Sequence, residues 1–180
     1  MKKKINYTKL CIIFGLCLLT LNCSFRPKSE CELLETDGKT ILGMEVVAID
    51  KTNPALGGNP ESKNNQNLRA CGYVSKNPTE RGYLYWVQGK AEDAEEAKMR
   101  FEMAGKKPSE PINYSTELLP KIGEEAKLNR YETKDSKNLA IAVRKGKNVF
   151  LITVSKPLAS EMPIEEVKLL AKRIADNTND

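Results

Sequence analysis

Two apolar runs, Leu139-Ala140-Ile141-Ala142-Val143 and Val149-Phe150-Leu151-Ile152-Thr153-Val154, flank Lys145-Gly146-Lys147-Asn148. Two strand-length runs around a glycine-containing turn are the signature of a β-hairpin. A strand with one wet face alternates apolar and polar residues, but these two are apolar on both faces. The hairpin is therefore expected near the centre of a sheet, covered by a helix. The segment that follows supplies one. Pro163 can open a helix, where its missing N–H costs nothing. Ile164, Val167, Leu170, Ala171 and Ile174 then form a stripe opposite Glu165, Glu166, Lys172 and Arg173.

Upstream, strand and helix signals alternate. Ser29-Glu30-Cys31-Glu32 has the form of a capping box and opens a short helix through Leu33 and Leu34. Asp37-Gly38 interrupts that helix, and a second turn through Ile41 and Leu42 closes at Gly43. Residues 44–49, with Val46, Val47 and Ile49, are rich in β-branched residues and read as a strand. Residues 68–74 and 82–88 read as two more, joined by the turn-rich Ser75-Lys76-Asn77-Pro78. Residues 91–104 carry the clearest helical pattern. Glu92, Asp93, Glu95 and Glu96 suit the positive end of the helix dipole, and Ala94, Ala97, Phe101 and Ala104 line one face. Gly105 ends it. Residues 106–120 read as a proline-punctuated connection, with a strand following near 127–131. The expected fold is a single α+β domain over residues 31–180. It has a twisted antiparallel sheet of about five or six strands, with helices packed on one face. Residues 53–67, rich in Asn, Gly, Pro and Ser, read as a flexible surface loop, either functional or simply disordered.

The N-terminus gives an address. Lys2, Lys3, Lys4 and Lys9 lead an apolar stretch over residues 10–21. It is shorter than the roughly 20 residues that span a bilayer, and suits the core of a signal peptide over residues 1–22. No alanine occurs there, so the Ala-x-Ala ending of an ordinary secretory signal is missing. Leu19-Thr20-Leu21-Asn22-Cys23 resembles a bacterial lipobox, with Asn22 where a smaller residue is usual, in the looser manner of spirochaete lipoproteins. The resemblance implies diacylglycerol on Cys23, cleavage before it and acylation of the new amine. Two or three acyl chains hold a protein on a bilayer stably, where one does not. Residues 23–30 then form a lipidated tether, and Ser24 favours the outer membrane over the inner. The other readings are an uncleaved N-terminal anchor, or a cysteine that merely ends a hydrophobic run.

The export signal also accounts for the chain's basicity. The sequence has 29 Lys and Arg against 24 Asp and Glu, and four of the basic residues but none of the acidic ones lie in the first 22. What remains is almost balanced, without the clustered basic stripe of a nucleic-acid-binding protein. Of five cysteines, Cys11 and Cys17 leave with the signal and Cys23 takes lipid, leaving Cys31 and Cys71. An even pair in an exported chain reads as a disulfide, and closing a loop of about 41 residues stabilises by about 4 kcal/mol in the chain-entropy model. The competing reading is two free or metal-binding thiols, which the lack of histidine and of Cys-x-x-Cys spacing weakens. With no histidine anywhere, His-dependent nucleophilic catalysis and His-ligated zinc are excluded.

The remaining motifs are thin. Gly38-Lys39-Thr40 has the end of a phosphate-binding loop, but Leu33 stands where its first glycine belongs. The acidic pairs Glu35/Asp37, Glu95/Glu96 and Glu165/Glu166 fit helix starts and solvated faces better than acid–base chemistry. No catalytic residue, metal ligand or cofactor is indicated. Tyr83 and Tyr85 are the best candidates for ligand contact. On a strand they share one face while Leu84 and Trp86 share the other. Exposed, the tyrosines would stack on sugar rings or anchor a protein. The plainer alternative, that one pair fills the core and the other packs across strands, is favoured.

The order Cys31-Glu32-Leu33-Leu34, Ile41-Leu42-Gly43, Cys71-Gly72-Tyr73 and Ile122-Gly123-Glu124-Glu125-Ala126, ahead of an apolar hairpin and a C-terminal amphipathic helix, is similar to DUF3558-like secreted lipoproteins and extracellular sensor-type domains of bacteria. The resemblance implies an α+β fold with a Cys31–Cys71 bridge and brings no catalytic residues. The expected function is non-enzymatic binding at the cell envelope: a lipoprotein fixed to the bilayer through Cys23, capturing an envelope or host protein or a polysaccharide. The alternative is a small-molecule carrier or sensor with a pocket between sheet and helices.

Overall fold

The computed structural model describes residues 31, 34–50, 68–77, 79–105, 109 and 111–179. The expected signal over residues 1–22, Cys23, the expected tether, Ser29 and Glu32 of the expected capping box, and residues 53–67 lie outside the described residues. The elements run α1 (Glu35–Leu42), β1 (Val46–Asp50), β2 (Leu68–Ser75), β3 (Tyr83–Lys90), α2 (Ala94–Met103), β4 (Ile112–Leu118), β5 (Glu125–Glu132), β6 (Ser136–Lys145), β7 (Asn148–Pro157) and α3 (Ile164–Asn177).

All seven strands form one antiparallel sheet in the order β1-β2-β3-β7-β6-β5-β4. The apolar hairpin is β6–β7, and β7 is the central strand, as burial on both faces demands. After β3 the chain crosses the sheet through α2 to the far edge. It then returns strand by strand until β7 lies against β3.

One face is closed. Leu84 and Trp86 of β3, Leu128 of β5, Leu139, Ile141 and Val143 of β6, and Phe150, Ile152 and Val154 of β7 are buried there. Over them lie Ile41 and Leu42 of α1 and Val167, Leu170, Ala171 and Ala175 of α3. Each large apolar side chain so buried contributes about 1.5–3 kcal/mol. An Arg173–Asp37 ion pair, 2.5 Å, joins the two helices at their exposed sides. The second face carries a smaller cluster, where Ala97 and Phe101 of α2 meet Ala142 and Val149, with Leu151 beside them.

Three expectations are corrected. The sheet has seven strands because β4 lies within the supposed connection 106–120. It is an edge strand with little of its surface covered, Ile112 at 51% and Leu118 at 77% exposure, so it carries no alternation to read. A bulge between Ile112 and Ser115, with Asn113 at φ 51°, interrupts its register, a common way to blunt an edge. Second, the helices do not share one face. α2 packs opposite α1 and α3, because the crossover from β3 to β4 runs over the other side of the sheet. Third, Asp37-Gly38 does not break α1. A Cβ at Gly38 would stand 2.9 Å from Tyr73 Cγ, so the glycine lets the helix settle on that fully buried ring. Gly43 ends α1 in the left-handed conformation, φ 70°.

Candidate functional site

Cys31 and Cys71 are disulfide-bonded, with Cα atoms 5.4 Å apart. The bridge fastens the segment before α1 to β2. Beside it, the buried Tyr73 hydroxyl donates to the Cys31 carbonyl oxygen. Burial, then the charges of Asp37 and Glu35, push the Tyr73 phenol well above its usual pKa. Cys71 is the register partner of Trp86. The Trp86 indole N–H is the only buried side-chain donor without a hydrogen-bond partner among the described residues.

Tyr83 and Tyr85 lie on the other side. Strand alternation sends Leu84 and Trp86 into the closed core, so the tyrosines face away from α1 and α3. Register carries their rows across six strands. One row runs Val47, Val74, Tyr83, Ser155, Asn138, Tyr131, and the next Ile49, Gly72, Tyr85, Thr153, Ala140, Asn129. Tyr131 of β5 thus faces the β3 tyrosines across the small side chains of β6 and β7. The separation of three strand steps is about 14 Å between backbones. The rings bridge part of it. Burial raises the Tyr131 pKa, and nearby Tyr83 raises it further. Burial also raises that of Tyr85. Tyr83 itself remains 41% exposed.

α2 covers only the adjoining half of this face, and its end is fixed by the sheet. Asn129, 1% exposed, donates from Nδ2 to the Gly105 carbonyl at 2.6 Å, while its Oδ1 accepts from Thr116 Oγ1 at 2.9 Å. Gly105 has φ 62°, and a Cβ there would meet Asn129 Nδ2 at 2.7 Å. The helix therefore stops above Asn129 and Ala140, and among the described residues no helix lies over Tyr83, Tyr85 and Tyr131. Between α2 and β3 is an open apolar cleft of about 180 Å³ lined by Leu68, Val87, Gly89, Ala104 and Leu151, with Arg100 at its side. Glu96 holds that guanidinium at 2.6 Å. Small-molecule sites begin at roughly 300 Å³.

The acidic pairs are distributed structurally. Glu35 pairs with Lys39, Asp37 with Arg173 and Glu165 with Lys168, at 3.4, 2.5 and 3.2 Å. Glu124 and Glu125 hold Arg144 at 2.5 and 2.8 Å beside the β6–β7 turn. Gly123 comes so near the Arg144 carbonyl that a Cβ would stand 2.6 Å away. The Ile122–Ala126 motif is thus a turn that grips a neighbouring strand. Gly38-Lys39-Thr40 lies within α1, where the Gly38 N–H donates to the Leu34 carbonyl oxygen instead of facing out from a loop. Among the described residues no group of three or more His, Cys, Asp or Glu side chains could hold a metal ion, and no helix is long and apolar enough to cross a membrane.

Sequence reasoning reached Tyr83 and Tyr85 but not Tyr131. Its strand was visible, yet nothing local shows that β6 and β7 insert between β5 and β3. No protein-family model matches the chain, and no curated protein matches it.

Proposed function

We propose that this protein is a lipid-anchored envelope protein that works by binding rather than catalysis. Acylated Cys23 holds it to the bilayer, and the open half-face around Tyr83, Tyr85 and Tyr131 contacts its partner. The observation that carries this reading is the pairing of one sealed face with one aromatic half-face that α2 stops short of covering. Large aromatic rings left partly wet on a rigid strand lose little conformational freedom on binding and offer both an apolar plane and a hydroxyl. The lipobox-like Leu19–Cys23 segment supports the anchor, and Ser24 supports the outer membrane.

An intact-mass spectrum of the chain extracted from its native membrane tests the anchor. The expected mass starts at Cys23, includes acyl chains and gains two hydrogens on reduction of one cystine. A mass that includes residues 1–22 without lipid rejects it. For the surface, the Tyr83→Ala/Tyr85→Ala double variant is expected to lose partner capture from envelope extracts while melting within a few degrees of the parent. Undiminished capture removes the tyrosines from the reading.

A further inference from the structure

We infer that the outer edge of β1 pairs with β1 of a second copy of this chain, so that two seven-stranded sheets join edge to edge. The inference goes beyond the binding reading and does not rest on it. It starts from the backbone. The Lys76 N–H donates to the Glu45 carbonyl oxygen at 2.9 Å, and the register runs unbroken from Val46 opposite Ser75 to residue 50 opposite Cys71. Bonded and non-bonded pairs alternate along an antiparallel ladder. Residues 45, 47 and 49 are therefore bonded to β2, while residues 46, 48 and 50 turn their N–H and C=O groups outward. Among the described residues β2 is the one strand paired with β1. Such an outward row is a template for another strand.

The two edges of the sheet differ in the devices that discourage such pairing. β4 carries a bulge and the left-handed Asn113. β1, Val46-Val47-Ala48-Ile49-Asp50, has no bulge, proline, lysine or positive φ. It is also self-complementary. About a two-fold axis through Ala48, normal to the sheet, Ala48 meets Ala48, and Val47 of each copy meets Ile49 of the other. Val47 is 47% exposed, so these cross-strand β-branched pairs cover apolar surface that water now reaches. The helices leave room for the axis. α1 lies over β2, with Gly38 against Tyr73, so two α1 helices related in this way stand three strand steps apart, about 14 Å. Packed helices approach to roughly 8–10 Å. Between them Ala48 is small and exposed. An unrelated peptide on this edge would need side-chain pockets for its specificity, whereas a second copy brings its own matching pair. The axis keeps like faces on one side, so the two open half-faces become neighbours, β3 to β3 about 24 Å apart.

The test uses the full chain in detergent, with micelles in excess so that sharing a micelle does not mimic pairing. Hydrogen exchange is read by NMR over a hundredfold range of protein concentration. Protection of the outward Ala48 N–H is expected to rise tenfold or more with concentration, while the Val47 N–H, bonded to β2, is protected throughout. Protection of Ala48 at every dilution means that another segment of the same chain covers the edge, and overturns the inference. Protection at no concentration overturns it too, as does protection that appears only when envelope extract supplies a foreign strand. Across the axis two Ala48 Cα atoms stand about 5.5 Å apart, within reach of a disulfide. Mild oxidation of Ala48→Cys should thus give at least five times the covalent dimer of Leu118→Cys at the other edge; equal yields reject the pairing. Ala48→Pro removes an outward N–H and spares the β1–β2 bonds. It should melt within a few degrees of the parent and sediment as a monomer where the parent dimerises. A dimer that survives the proline removes β1 from the interface.

Discussion

The two sides of the sheet are built from the same strands and yet answer to different demands. On the closed face, β3 contributes Leu84 and Trp86, 1% and 4% exposed. Its alternate residues on the open face, Tyr83 and Tyr85, keep part of their rings in water. The crossover makes the difference. Among the described residues, α1 and α3 together roof one face, whereas α2 alone roofs half of the other and stops at Gly105. A single strand can therefore serve stability with one set of side chains and recognition with the other, provided that the covering helix ends in the right place.

This contrast can be broken experimentally. The largest effect is expected from Phe150→Ala, which empties a site 1% exposed in the closed core and should cost about 3–5 kcal/mol in urea denaturation. Tyr85→Ala on the open side should cost about 1 kcal/mol or less. Equal losses would mean that the open face carries the core as well. Gly38→Ala comes next. Its Cβ would press on Tyr73 at 2.9 Å, and overpacking by one methyl costs about 1–3 kcal/mol, against a helix-propensity gain of up to about 1. Net destabilisation is expected; a rise in melting temperature would show that α1 can lift away without loss.

The smallest effect sharpens the comparison by pH. The Tyr73 phenol has its folded pKa above the unfolded value near 10, so between the two the folded state binds a proton that the unfolded state releases. Its contribution is complete below about pH 10 and falls as pH climbs beyond it. Tyr73→Phe should lower stability by about 1–2 kcal/mol at neutral pH, by leaving the Cys31 carbonyl without its donor. It should also flatten the alkaline limb of the stability curve. Tyr131, half-buried and shifted in the same direction, should change that limb less when replaced by Phe. A reversal of the two would place the more deeply held phenol on the open side.

Much of this architecture could be read in the sequence, for identifiable reasons. β6 and β7 announce themselves because both faces are apolar. α3 does so through Val167, Leu170 and Ala171, and α2 through its acidic start and the Ala97/Phe101 face. What escaped follows from long-range geometry. β4 forms a strand ladder with β5 alone, and its side chains are mostly exposed, so its residues bear no imprint of a core. Gly38 looks like a helix breaker until Tyr73, 35 positions later in the chain, is seen beneath it. Tyr131 joins Tyr83 only through the strand order, which places two strands between theirs. Alternation alone sorted Tyr83 and Tyr85 from Leu84 and Trp86, but not which pair would stay wet.

The bridge between Cys31 and Cys71 also decides how the domain bears a load. A pull on the chain ahead of α1 does not have to peel that helix from the sheet turn by turn. It is delivered through sulfur into β2, which is hydrogen-bonded to β1 on one side and β3 on the other. Force entering there is shared by two ladders at once, and α1 lies outside its path. A domain leashed to a moving surface and gripping something at its far side would feel tension along this route, with Cys31 as its first fixed point.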